Sequence, residues 1–479
     1  MNLVLLAALL LSISIGYLTV LLLLPSAGHN RVGQLLAVCV GAGLGAGISS
    51  CLYFLIWLTL GPSTKTFVAA ELIILGLLGA GCWKRRSASA EPRAGGVLWI
   101  PLIGFLVALG FAVAVFVNSS QSNPYGGWDA WTLWNLRAGF LAQNDASWRN
   151  AFSSLLNRTH PDYPLLLSGF IASCWNLMGS TNAISAPIAV AALFTFATAG
   201  LLVAARALLR SWSAGLLAGM ILLASPRFLM EGANQYADVP LGFYYAAALA
   251  LALLAASTDR GAEKVLALAG LAAGFAAWTK NEGLLFLLLS CIGIAVLYVV
   301  RKAGAKTALL SVVAGAAVPV LIALYFKFFL APATGTFSGS LPSASGKLFQ
   351  ASRYLQIAKA FWHEGLGFGV STIHPVIPLA IIGICLGIHP ARRRQPAIVI
   401  LGAVLLAVLA GYFFTFMITP LDLAWHLNTA LGRLYVQLWP SFVLLTFAVI
   451  RTPEETAIAR PQVQKPQSVT SKKRKKVRV

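Results

Sequence analysis

The sequence predicts an all-α membrane protein that crosses the bilayer many times. Three observations carry that expectation. Hydrophobic residues form 58% of the chain and charged residues only 10%, against about a quarter charged in an ordinary soluble protein. Thirteen apolar runs approach the roughly 20 residues a helix needs to cross the hydrocarbon core. The Lys and Arg residues gather in short clusters between those runs, as cytoplasmic loops do.

In chain order the expected spans are 2–24, 35–60, 66–83, 97–117, 183–206, 213–229, 239–257, 265–279, 284–300, 307–329, 372–389, 396–418 and 434–450. The first run lacks a basic leader and is too long for a typical signal peptide, so it reads as a span. Lys84/Arg85/Arg86, Arg206/Arg210, Arg260/Lys264, Arg301/Lys302 and Arg392/Arg393/Arg394 are expected on the cytoplasmic side. A shorter apolar stretch, 165–179, tests that orientation. If it crossed fully, Arg206 and Arg210 would face outward, so it is expected to be short or re-entrant. This makes about thirteen transmembrane helices with the N-terminus outside.

The organisation expected is an N-terminal three-helix membrane extension (1–96), then a membrane core (97–330) that includes an external loop at 118–164. A second external loop (331–371), C-terminal membrane helices (372–450) and a basic cytoplasmic tail (451–479) follow. The tail, ending "SVTSKKRKKVRV", contributes to a net charge of +21. On a polytopic protein such a tail fits anionic membrane lipids, and no nucleic-acid partner is expected. The six cysteines form no C-x-x-C pair, so neither a disulfide framework nor a zinc site is indicated.

Acidic residues are scarce, fourteen in 479, yet eight are expected near the external face: Asp129, Asp145, Asp162, Glu231, Asp238, Glu282, Glu364 and Asp422. The charge bias of membrane loops constrains Lys and Arg and says little about acids, so this gathering points to a polar external site. The segment "GGWDAWTLWNLRAGFLA" from Gly126 carries Asp129 among tryptophans. As a helix it places Trp128, Trp131, Trp134, Ala138 and Leu141 on one broad face, as in a juxtamembrane helix lying in the interface. Asp129 at its start reads alternatively as a helix N-cap.

Four further segments return to the same face. "NRTHPDYPLLLSGF" carries His160 and Asp162, "MEGANQYADVPLGFYY" carries Asp238, and "AAWTKNEGLLF" carries Lys280 and Glu282. "TPLDLAWHLNTALGRLYVQLWP" carries Asp422, His426 and Arg433. Each charge reads alternatively as an interfacial anchor or a solvated loop charge. That alternative is weakest for Lys280 and Arg433, because a cation at the outer end of a span opposes the charge bias.

The order of a W-D motif, H-P-D-Y-P, Y-A-D-V-P, T-K-N-E-G and a late loop with W-H and G-R resembles the glycosyltransferase C superfamily. The branch holding protein O-mannosyltransferases and lipid A aminoarabinose transferases is the most similar, over residues 97–450. The first motif departs in having one acid where the family has an adjacent pair, and the first three spans lie outside the familiar core.

The resemblance implies a hexosyl- or pentosyltransferase taking sugar from a polyprenyl-phosphate donor and passing it to a glycan, lipid or protein acceptor. Its active site would face the periplasm from a bacterial inner membrane. It implies Asp129 as general base in an inverting displacement and Asp238 as the second catalytic carboxylate. Lys280 and Arg433 would hold the phosphate, with His160, Asp162, His426 and Glu282 as weaker substrate-binding candidates. No cofactor is expected. A divalent ion, for which Asp129 and Asp238 offer two oxygen ligands, is less favoured beside two phosphate-facing cations. The alternative expectation is a transporter or lipid flippase without transferase chemistry.

Overall fold

The computed structural model describes residues 2–84, 98–209, 211–258, 261–332, 346–368 and 374–459. The end of the expected tail, with Arg85, Arg86, Arg210 and Arg260, lies outside them. Among the described residues the regular elements are helical, apart from one antiparallel bridge between Ile388 and Ile450.

The first three helices are α1 (Leu3–Leu23), α2 (Arg31–Thr59) and α3 (Thr64–Lys84). Small residues let α1 and α2 touch backbone to backbone. A Cβ on Gly16 would stand 1.9 Å from the Gly41 carbonyl oxygen, the close approach that glycine permits between membrane helices. The helix α2, within the expected extension, also bonds to later parts of the chain. Tyr244 donates to the Gly43 carbonyl at 2.7 Å and Tyr53 to the Leu141 carbonyl at 2.7 Å. The helix α4 (Trp99–Ser122) is largely exposed, with apolar residues all round, as a lipid-facing helix is.

After α4 come the short α5 (Asn135–Leu141) and α6 (Leu166–Met178). Every residue from Leu166 to Asn176 is buried, but thirteen residues rise only about 20 Å, short of the hydrocarbon core. Both ends of α6 pack along the segment of α5. Ser168 donates to the Trp134 carbonyl at 2.8 Å, while Trp175 shares a groove with Asn135, Leu136 and Gly139. The chain then continues into α7 (Ser185–Leu208).

The next helices are α8 (Trp212–Leu223), α9 (Pro226–Ala233), α10 (Asp238–Ala256), α11 (Ala262–Thr279), α12 (Glu282–Val300) and α13 (Ala305–Tyr325). Pro226 separates α8 from α9 with a bend of 65°, because proline cannot continue the hydrogen-bond ladder. The helix α10 is buried on all sides from Asp238 to Leu253, which explains why its sequence is apolar all round. The chain ends with α14 (Ala351–Gly367), α15 (Val376–Leu386), α16 (Pro396–Ile418), α17 (Leu423–Val449) and α18 (Pro453–Ala459).

Among the described residues nine helices are long and apolar enough to cross a membrane, or ten when the bent α8–α9 pair counts as one span. The protein is an all-α, polytopic membrane protein on this ground. Three of the thirteen expected spans fall on α11, α15 and α17, helices that do not combine that length and apolar character. For α15 the reason is length, eleven residues. The helix α17 is long but carries His426, Arg433 and Gln437.

Candidate functional site

The broken loop after α4 is shaped by two glycines. Gly126 has φ +75°, a left-handed conformation that favours glycine. Gly127 donates its N–H to the Asn234 carbonyl at 3.0 Å, and a Cβ on it would stand 2.5 Å from the Tyr236 hydroxyl. This close approach lays the loop on the turn between α9 and α10. Residues 130–134 then form one π-helical turn, whose i→i+5 bonding is rare and concentrates at functional positions.

That turn corrects the expected single tryptophan face. A wider turn breaks the three- and four-residue spacing, so Trp128 and Trp131 stay exposed, packed edge to face at 4.6 Å. Trp134 turns inward and is fully buried, stacked on Tyr163 at 5.7 Å. The same geometry disposes of the capping alternative for Asp129. Its carboxylate makes no capping hydrogen bond. It reaches instead to Arg433, with Oδ2 2.6 Å from Nη2.

Arg433 joins two carboxylates. Its Nη2 also lies 2.9 Å from Asp238 Oδ2, and its Nε donates to the same oxygen at 3.1 Å. The guanidinium lies over the Tyr236 ring, 4.5 Å from the centroid. Asp238 stands in the first turn of α10, where the helix dipole favours an acid, and its side chain has no exposed surface. Its Oδ1 accepts from Lys280 at 2.9 Å and from Gln437 at 2.6 Å. Gln437 is one turn after Arg433 on α17, so the two side chains share a face. Tyr412 of α16 donates to the Gln437 carbonyl oxygen at 2.6 Å and so orients the amide toward Asp238.

Lys280 lies at the break between α11 and α12, buried and in an extended conformation. Besides Asp238 it meets Glu282 at 3.1 Å, and its ammonium stands 5.7 Å from the centre of the Tyr163 ring. Asp129, Arg433, Asp238, Lys280 and Glu282 thus form one continuous chain of ion pairs, with three carboxylates against two cations. The distribution is uneven. Asp129 keeps 19% of its side-chain surface open, whereas Asp238 is sealed.

The remaining expected residues sort into two groups. His160 stacks on Tyr163 at 5.0 Å, completing a run of rings from Trp134. It adopts φ +45°, unusual outside glycine, and burial lowers its pKa from the usual 6.5 against the opposing pull of Asp162 and Asp129. Asp162 accepts from Asn281 at 2.9 Å and pairs with Lys327 at 3.4 Å. Both therefore flank the ion-pair chain. His426 is two turns before Arg433 on α17 and bonds the Thr419 hydroxyl at 3.0 Å.

Three more of the acids expected at the external face have local uses. Asp145 and Asp422 cap helices at Ser147 and Trp425, both 2.8 Å. Glu231 pairs with Arg227 one turn earlier at 2.6 Å.

Sequence reasoning missed Gln437, Asn281 and Lys327. Lys327 had a usable signal, since "FKFFL" sets a cation in an apolar span end as Lys280 does. Cys39, Cys51, Cys174, Cys291 and Cys385 form no disulfide. Among the described residues no group of three or more His, Cys, Asp or Glu is placed to hold a metal ion. The chain matches no family model, no curated protein and no solved structure.

Proposed function

We propose that the protein is an integral membrane glycosyltransferase with the glycosyltransferase C arrangement and about thirteen spans. It moves a sugar from a polyprenyl-phosphate donor to an acceptor at the external face, in an inverting displacement. The observation that supports this most is the contrast between two carboxylates on one arginine. Asp129 is partly open and free of any capping duty, as a group that meets substrate must be. Asp238 is enclosed, with both oxygens accepting hydrogen bonds.

In this reading Asp129 accepts the proton of the acceptor hydroxyl as that oxygen attacks the anomeric carbon. The bond to the carrier phosphate breaks, and the phosphate leaves with the electron pair. Arg433 is the cation with the reach to meet that phosphate. Its Nε stays on Asp238 while Nη2, shared between Asp238 and Asp129, transfers toward the incoming anion. Freed from that ion pair, Asp129 is available as the base. Asp238 is then a positioning residue, and Lys280, enclosed by Asp238, Glu282 and Tyr163, holds it in the charged state. His160, Asp162, Glu282 and His426 border the sugar or acceptor.

The test is transfer of radiolabel from a polyprenyl-phosphate sugar to envelope acceptors by the purified protein. Transfer that requires Asp129 supports the reading. Movement of intact donor across vesicles without transfer would support the alternative, a transporter or flippase. One feature favours that second reading, the 65° break between α8 and α9, since transporters use broken helices at their binding sites.

A further inference from the structure

We propose that the groove between residues 124–143 and the 175–187 turn binds a neutral sugar. Its cavity of about 330 Å³ is near the lower end of the roughly 300–1,000 Å³ of small-molecule sites. That volume suits a mono- or disaccharide. The lining combines the rings of Trp131, Phe140 and Trp175 with the amides of Asn135, Gln143 and Asn182, and no lining residue is charged. This pairing matches the two surfaces of a sugar. Its C–H faces pack on aromatic rings, and its hydroxyls both donate to and accept from amides.

Asn135 adds a second, independent observation. Its Nδ2 donates to Gln235 at 3.0 Å, while its Oδ1 is buried without a partner. A buried acceptor without a donor is costly, and a turn of the Asn135 side chain into the groove it lines would bring that oxygen to a sugar hydroxyl. A charged ligand fits poorly, because an anion would lose its water with no cation in the lining to replace it. An acyl chain fits poorly too, because it would cover three amides and offer them no hydrogen bond.

The groove is tied to the ion-pair chain through Gln235. That side chain bridges Asn135 and the Pro124 carbonyl, which it meets at 3.0 Å, and the next residue is Tyr236, over which Arg433 lies. Trp131 follows Asp129 by two residues. The bound sugar is therefore the acceptor side of the reaction, a part of the assignment that rests on the transferase reading. Sugar binding itself does not rest on it.

The experiment measures binding, not turnover. The full chain in lipid nanodiscs is titrated on an array of neutral mannose-, glucose-, galactose- and N-acetylglucosamine-containing oligosaccharides, beside uronic-acid and sialylated ones. Saturable binding to neutral members is expected. Trp131→Ala and Asn182→Ala should each weaken it about tenfold, the loss of roughly one contact or hydrogen bond. Asn182 is exposed, so its variant keeps the fold, and thermal unfolding checks both.

Asp129→Asn should leave binding unchanged while abolishing transfer. Several results would overturn the inference: no neutral binder, a preference for the acidic sugars, or affinity indifferent to both substitutions. Quenching of Trp131 by brominated acyl chains would assign the groove to lipid and overturn it as well. Sugar binding without any transfer would sink the transferase reading and leave the groove standing. Transfer without binding here would do the reverse.

Discussion

The two ends of the bundle both pair cations with carboxylates, and they do so differently. At the end remote from Asp129, Arg206 donates to the Phe447 carbonyl at 2.9 Å and to that of Leu209 at 2.6 Å. Nearby, Arg392 pairs with Glu455 and donates to the Ile450 carbonyl at 3.0 Å, and Ser211 donates to Glu454 at 2.9 Å. These cations close helix ends, satisfying backbone carbonyls that helix termini leave open. At the Asp129 end, Arg433 and Lys280 spend their donors on side chains from separate helices, and carboxylates outnumber them. The first arrangement holds chain ends together. The second holds one carboxylate, Asp129, at an open edge through an arginine shared with another, Asp238, that is sealed.

The comparison breaks most visibly at Asp238. Asp238→Asn removes the charge facing two cations in the interior, and losing one partner of a buried ion pair costs about 3–5 kcal/mol. A large fall in the unfolding temperature in detergent is expected, with activity lost alongside. An unchanged temperature would mean that Lys280 and Arg433 are held by other groups.

Asp129→Asn should separate chemistry from stability. Asp129 is partly open, so the variant is expected to fold normally and to lose transfer by about two orders of magnitude or more, the scale of a missing general base. A folded variant with retained turnover removes Asp129 from that role.

Arg433→Lys keeps the charge and loses the fork that spans Asp129 and Asp238. A charge-assisted hydrogen bond contributes roughly 1.5–3 kcal/mol, so donor use should weaken by about ten- to a hundredfold, with acceptor dependence little changed. Donor kinetics like those of the unaltered protein would reduce Arg433 to a structural tie.

The opposite end supplies the control. Glu455→Gln breaks a pair that is partly exposed on both sides, and such pairs contribute about 0–1 kcal/mol. Little change in unfolding temperature and none in transfer is expected. A large loss would show that this end, too, is tightly coupled to the site.

The smallest signal concerns pH. Burial lowers the His160 pKa in the folded protein, so below about 6.5 the unfolded chain takes up a proton that the folded state resists. Stability should fall as pH drops through that value and level off at the folded pKa. His160→Gln should flatten that slope, and an identical profile in the variant would detach it from His160.

Much of this was legible in the residues. The apolar runs foretold helices at every expected span, because a helix crossing lipid must satisfy its own backbone bonds and cover them with apolar side chains. The charge bias led to the expectation that 165–179 is short or re-entrant, and α6 is a helix of thirteen residues. Asp129, Asp238, Lys280, Glu282 and Arg433 were expected together, because each is a charge set at an apolar boundary where it needs a partner.

Which charge meets which was invisible, because Lys280 and Arg433, the partners of Asp238, lie 42 and 195 residues away and leave no trace in local spacing. The π-helical turn was invisible for a related reason. Nothing in "AWTLW" forbids an α-helix, and its geometry matches the packing of Trp134 on Tyr163 and of Gly127 on Tyr236. Burial divided the two carboxylates on Arg433, and burial belongs to the neighbours a residue acquires. Composition and period determine what a segment can become, whereas the helices packed around Asp238 and absent from one side of Asp129 decide which acid stays open.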